Sequence, residues 1–128
     1  MIYIFSAFYA EAKNIIDHYG LKKEKSLETV RFDVFANDDI RLVITGVGEI
    51  NAAAAVSNIG GAYGISPDDE ILNVGCGAGF SSDICLGSIF LGNKLTEQMT
   101  GRTFYPDMLM KAKFRECEIV TVARVLNE

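Results

Sequence analysis

Basic residues are in short supply: 12 lysines and arginines stand against 17 aspartates and glutamates, for a formal net charge of −5 at pH 7. With a pI near 4.9 there is little to attract a polyanion, so nucleic acid and acidic membrane surfaces are excluded as expected partners. Cysteine is equally scarce. Cys76, Cys85 and Cys117 are odd in number and lack C-x-x-C spacing, which argues against a disulfide framework and a structural zinc site. No metal and no cofactor is expected, and a reducing cytoplasm fits the thiols. Apolar runs are short, and none approaches the roughly 18 residues of a membrane span. The apolar opening, Ile2 to Ala10, has no basic residue before it and meets Glu11 at once, unlike a secretory signal. The single histidine, His18, falls on the polar edge of a predicted helix and reads as a surface or partly buried residue, not a catalyst. Internal repeats and interdomain linkers are also lacking.

What remains is an apolar chain of single-domain size. Of its 128 residues 49% are hydrophobic and 23% charged, enough to bury roughly two-thirds of the unfolded surface. Ile2 to Phe8, aromatic and branched, predicts a buried first strand. Ala10 to Tyr19 carries Ala12, Ile15, Ile16 and Tyr19 at helical spacing, and Gly20 is placed to end that helix. Lys22 to Thr29 reads as a solvated connection. Val30 to Phe35 alternates as a half-exposed strand, Asn37-Asp38-Asp39 turns, and Ile40 to Thr45 returns as a second hairpin strand. Gly46-Val47-Gly48 opens an alanine-rich helix, Ala52 to Ile59, which Gly60, Gly61 and Gly64 are expected to close.

Asp69 to Phe80 organises the rest. Ile71 to Gly75 reads as a buried strand, and Gly75, Gly77 and Gly79 follow at every second position, which suits a loop that accepts positive φ and brings backbone N–H groups close to a ligand. Ile84 to Leu91 has the content of a further strand. Thr100 to Lys113 reads as loop with one short helix near Asp107 to Met110, and Glu118 to Val125 as a last strand with no helix after it. The order of elements predicts an α/β domain with a mixed sheet, spanning residues 1–128 as one unit.

Two families use a glycine stretch of this kind. Asn73-Val74-Gly75-Cys76-Gly77-Ala78-Gly79 resembles the first motif of S-adenosylmethionine-dependent methyltransferases. However, Asn73 stands at their acidic position, the following segment does not read as a helix, and a strand-helix-hairpin-helix region precedes the motif. A second resemblance runs across most of the chain: Ser6-Ala7-Phe8 with Glu11 opening a helix, Gly46-Val47-Gly48, the Asn73 to Gly79 stretch, then Leu86-Gly87-Ser88-Ile89. In that order and spacing these pieces resemble the N-terminal half of the nucleoside phosphorylase and nucleosidase family, the methylthioadenosine/S-adenosylhomocysteine nucleosidases in particular.

The resemblance implies a three-layer α/β/α fold with a central mixed sheet, truncated at its C-terminus, and cleavage of the N-glycosidic bond of a purine nucleoside. Such cleavage passes through an oxocarbenium-like state that needs a nucleophile on one side and an acid for the departing base. Glu11 would be the water-activating base, with Ala7, Gly48, Cys76, Gly77, Ala78 and Phe104 lining the substrate pocket. Taken alone, Glu11 also reads as a first-turn carboxylate complementing the helix dipole, Gly46 to Gly48 as a plain turn, Cys76 as a buried structural thiol, and Phe104 as a hydrophobic plug. Phosphorylase members of the family place a phosphate-binding arginine where this chain has Asn73, so water is the expected nucleophile unless Arg41 or Arg102 supplies charge from elsewhere. The family's ribose-binding glutamate and its leaving-group acid would lie beyond residue 128, which implies a chain that is inactive alone. An uncovered sheet edge and apolar face imply a homo-oligomer. A non-catalytic nucleoside-binding or assembly role on the same fold is the alternative.

Overall fold

Alternation along the first strand decides how the layers are built. In β1 (Ile2–Ser6), Tyr3 and Phe5 point to one face and Ile2 and Ile4 to the other. On the first face they pack with Val34, Val43, Ala55 and Ile59, and on the second with Ala12, Ile16, Leu21, Ile40 and Leu42. Helix α1 (Tyr9–Tyr19) therefore covers one side of the sheet and α2 (Glu49–Tyr63) the other, which makes three layers. The structure is a computed structural model and describes residues 1–25, 27–108, 111 and 113–123.

The sheet between these helices has the order β2-β3-β4-β1-β5, with β2 (Lys22–Lys23), β3 (Asp33–Ala36), β4 (Ile40–Ile44) and β5 (Glu70–Asn73). β1 lies between two strands, parallel to β4 through Ile4 opposite Leu42 and to β5 through Ile4 opposite Leu72. The β3–β4 hairpin and the short β2 are antiparallel, so the sheet is mixed. Leu42, Val43, Val34 and Ile59 are fully enclosed, and burying each such side chain contributes about 1.5–3 kcal/mol.

Contacts divide the chain into two units, Met1–Gly77 and the residues from Ala78 on. The second contains its own sheet of order β7-β6-β8: β6 (Phe90–Glu97), β7 (Thr103–Phe104) and β8 (Arg115–Thr121). β8 runs parallel to β6, with an irregularity between Gly92 and Lys94, while β7 is antiparallel to it. Gly92 leaves room for Ile119 of the neighbouring strand, whose Cδ1 would lie 2.5 Å from a Cβ there. Every residue buried below the surface among those described belongs to the first unit.

Several boundaries differ from the sequence expectation. Lys22–Lys23 form a short edge strand where a plain connection was expected, and the next strand starts at Asp33, because residues 27–31 are tied to α2 instead. There the Asn58 Oδ1 accepts the Arg31 N–H at 3.0 Å and its Nδ2 donates to the Thr29 carbonyl at 2.8 Å. Gly60 and Gly61 do not stop α2, which continues to Tyr63 and ends at Gly64. Each interior glycine costs roughly 0.5–1 kcal/mol. The burial of Ile59 and the 2.7 Å hydrogen bond from the Tyr63 hydroxyl to Glu24 hold the last turn helical nonetheless. Ile84 to Ile89 is a run of turns, closed by Ile84 N–H to Ser81 and Ser88 N–H to Cys85, so the strand expected at Ile84 begins only at Phe90. Asp107 and Met108 are not helical; Leu109 and Met110, the rest of that expected helix, lie outside the described residues, as does Val125. The last strand starts three residues before its expected Glu118, at Arg115.

Candidate functional site

Three adjacent parallel strands, β4, β1 and β5, deliver their carboxyl ends to the same edge of the first unit. Pairing continues past their last residues: Thr45 N–H donates to Ser6 O at 2.9 Å, Gly46 N–H to Ala7 O at 3.1 Å, and Val74 N–H to Phe5 O at 2.9 Å. The chain after β4 turns through Gly46 and Gly48, at φ +81° and +97°, into α2, a backbone that only glycine adopts without strain. Asn51 Nδ2 donates to Val47 O at 2.7 Å and closes that turn.

Glu11, third residue of α1 and half-buried, reaches into this edge. Its Oε1 accepts the Cys76 N–H at 3.0 Å, a contact spanning 65 residues of sequence. Its Oε2 accepts the Phe8 N–H at 3.2 Å and the Ser6 hydroxyl at 3.3 Å. The carboxylate thus caps its own helix and also joins the end of β1 to the loop after β5. The helix-end reading of Glu11 is realised in this geometry, and the same carboxylate meets the glycine loop.

The glycine loop works differently from expectation. None of Gly75, Gly77 and Gly79 adopts positive φ. Gly75 instead borders the carboxylate, since a Cβ there would lie 3.7 Å from Glu11 Oε1 and 3.8 Å from Oε2. Gly79 admits Ile84, whose Cδ1 would lie 2.8 Å from a Cβ, and Gly77 faces open space. Cys76 is exposed, which corrects the reading of it as a buried structural thiol.

The structure gathers Ala7, Glu11, Cys76 and Gly77 within the first unit, and Gly48 caps the helix that follows the neighbouring strand. Ala78 and Phe104 belong to the second unit, where Phe104 sits on β7 and is 56% exposed, no plug in a core. Arg41 is committed elsewhere: its guanidinium stacks 4.3 Å from the Tyr63 ring centre, with Nε 3.7 Å from Glu24 Oε2. Burial and the hydrogen bond to Glu24 push the Tyr63 hydroxyl up to about 12. Asn73 is exposed at the end of β5, and His18 is exposed on α1. A concavity of about 280 Å³ lined by Lys22, Lys23, Glu24, Ala36 and Asn37 lies at the far edge of the sheet, beside β2. It holds none of the convergent groups just described, so the strand-end carboxylate is the better candidate site. Ser6, quoted in the resemblance but given no role of its own, carried one further signal, a hydroxyl inside an otherwise apolar strand.

No protein-family model matches the sequence, and no curated protein matches it. Solved structures do. A 5′-methylthioadenosine/S-adenosylhomocysteine nucleosidase from Neisseria meningitidis, in complex with methylthio-immucillin-A, superposes with a TM-score of 0.75 at 17% identity over 96% of this chain. The fold is nucleosidase-like. A Helicobacter pylori futalosine hydrolase mutant gives 0.74 at 12% identity over 99% of the chain, and the Campylobacter jejuni nucleosidase 0.72 at 16% over 99%. This nucleosidase-like chain spans 64% of the Neisseria enzyme, 70% of the futalosine hydrolase and 66% of the Campylobacter enzyme. No helix among the described residues is long and apolar enough to cross a membrane.

Proposed function

We propose that this chain supplies the water-activating half of a purine-nucleoside hydrolase site. The observation that carries the reading is the Glu11 carboxylate bound to the Cys76 amide at the carboxyl ends of the three parallel strands. A carboxylate fixed there can take a proton from water as it attacks the anomeric carbon and can offset the positive charge that grows on the sugar. Ala7, Gly48, Cys76 and Gly77 are the proposed substrate contacts within the first unit. Hydrolysis is favoured over phosphorolysis because Asn73 is neutral and Arg41, one of the two arginines that could supply charge, is held by Glu24 and Tyr63. The nucleosidases and the futalosine hydrolase it superposes on support the substrate class, since one of them holds a nucleoside analogue.

The test is release of adenine from methylthioadenosine by the full chain, with and without phosphate. Release independent of phosphate, reduced about 10²–10⁴-fold by Glu11→Gln, supports this reading. Release that requires phosphate contradicts hydrolysis, and release unchanged in Glu11→Gln contradicts the role of Glu11. The alternative reading is nucleoside binding without turnover. Saturable binding with no release would establish it. Exposed Phe80, Leu86 and Ile89 support self-association into a homo-oligomer, to be read by light scattering.

A further inference from the structure

A carboxylate oxygen has room for about two hydrogen-bond donors. Glu11 Oε2 already has two, the Phe8 N–H at 3.2 Å and the Ser6 hydroxyl at 3.3 Å, whereas Oε1 has one, the Cys76 N–H at 3.0 Å. Ser6 is wholly buried at the end of β1, so its hydroxyl has no water to turn to. Loss of a partner to a charged acceptor would leave that donor in an apolar strand end, which makes the contact costly to break. The Phe8 amide belongs to the helix cap and stays with α1 under any side-chain change.

We infer that Ser6 is a positioning residue: by occupying the second site on Oε2 it fixes the rotation of the Glu11 carboxylate, so that Oε1 keeps the one open acceptor site and is the atom that receives the proton. The inference rests on the hydrolase reading and adds to it which oxygen acts and what holds it. The proton from water goes to Oε1, the water oxygen bonds the anomeric carbon, and the glycosidic bond electrons leave with the purine. With Oε2 filled from the β1 side, water is bound on the side of the glycine loop, and Gly75 leaves that approach clear because a Cβ there would sit 3.7 Å from Oε1.

Ser6→Ala removes the hydroxyl and little volume, so the fold survives. Two measurements on the full chain separate positioning from a structural role. The first needs no turnover: in ¹⁵N-labelled protein the Cys76 amide proton, hydrogen-bonded to a carboxylate in the wild type, should move upfield and exchange at least several-fold faster in Ser6→Ala, while amides of Ile4 and Leu42 stay unchanged. The second is kinetic: kcat for adenine release should fall about ten-fold with KM unchanged, as loss of one hydrogen bond to a charged group implies. An unchanged Cys76 amide overturns the positioning role, whatever the activity. Turnover that survives Glu11→Gln overturns the hydrolase reading instead, and leaves the amide measurement to judge Ser6 by itself.

Discussion

Glycine at position 75 leaves the Glu11 carboxylate open on the loop side and makes no use of backbone freedom. Its φ is not positive, and a Cβ there would stand in ordinary van der Waals contact with both oxygens of Glu11. Gly75→Ala should therefore fold with a Tm close to that of the wild type and still impair turnover, because its methyl group would shield the carboxylate from water. A circular-dichroism melt alongside the adenine assay checks this; a large fall in Tm would point to strain that the backbone does not show. At this scale the sequence was informative in part. Glu11 stood out as an acid opening a helix, and its meeting with the glycine loop followed from a resemblance across the chain. Spacing alone does not reveal that Cys76, 65 residues away, donates to it. The hydroxyl of Ser6 was hidden for the opposite reason, since one small polar group within an aromatic strand leaves the apolar pattern intact.

Elements were legible where local chemistry and tertiary packing agree. The Asn37 turn is an example: its Oδ1 accepts the Asp39 and Ile40 amides at 2.9 and 2.8 Å, and the hairpin it closes matches expectation. They were misread where packing overrides propensity, as in the glycines carried inside α2, or where apolar content had no partner strand, as from Ile84 to Ile89. The β5 end of the sheet adds a pH dependence. Asp69 accepts the Ser66 N–H at 2.8 Å and pairs with the Met1 amino group at 3.0 Å, and these hold its carboxyl below the ordinary carboxylate value, the Ser66 amide most of all. A depressed folded value means stability that is present above the unfolded value and is lost as pH falls through the folded one. Asp69→Asn should therefore weaken the protein at neutral pH and flatten the loss of stability below about pH 4, as read from denaturant midpoints across pH. Parallel curves for the two proteins would contradict it.

Across the molecule, the buried residues among those described are confined to one unit. The sheet of Met1–Gly77 encloses its core between two helices, whereas the described residues from Ala78 on bury none of theirs and leave Phe80, Leu86 and Tyr105 at 82%, 108% and 72% exposure. Local opening follows buried apolar contact. Amides of β6 and β8 should exchange well before those of β1 and β4 in a hydrogen-exchange time course, and uniform protection would contradict that asymmetry. The same first unit presents the candidate site, so ligand recognition can begin on its best-packed part.

The most direct measurement is a titration of methylthioadenosine into ¹⁵N-labelled Glu11→Gln protein, in which slow turnover leaves binding visible. Saturating shifts concentrated at Ala7, Gly46 to Gly48, Cys76 and Gly77, with Lys22 to Asn37 unmoved, are the predicted result. Shifts centred on Lys22 to Asn37, or none at all, would contradict a nucleoside site at the strand ends.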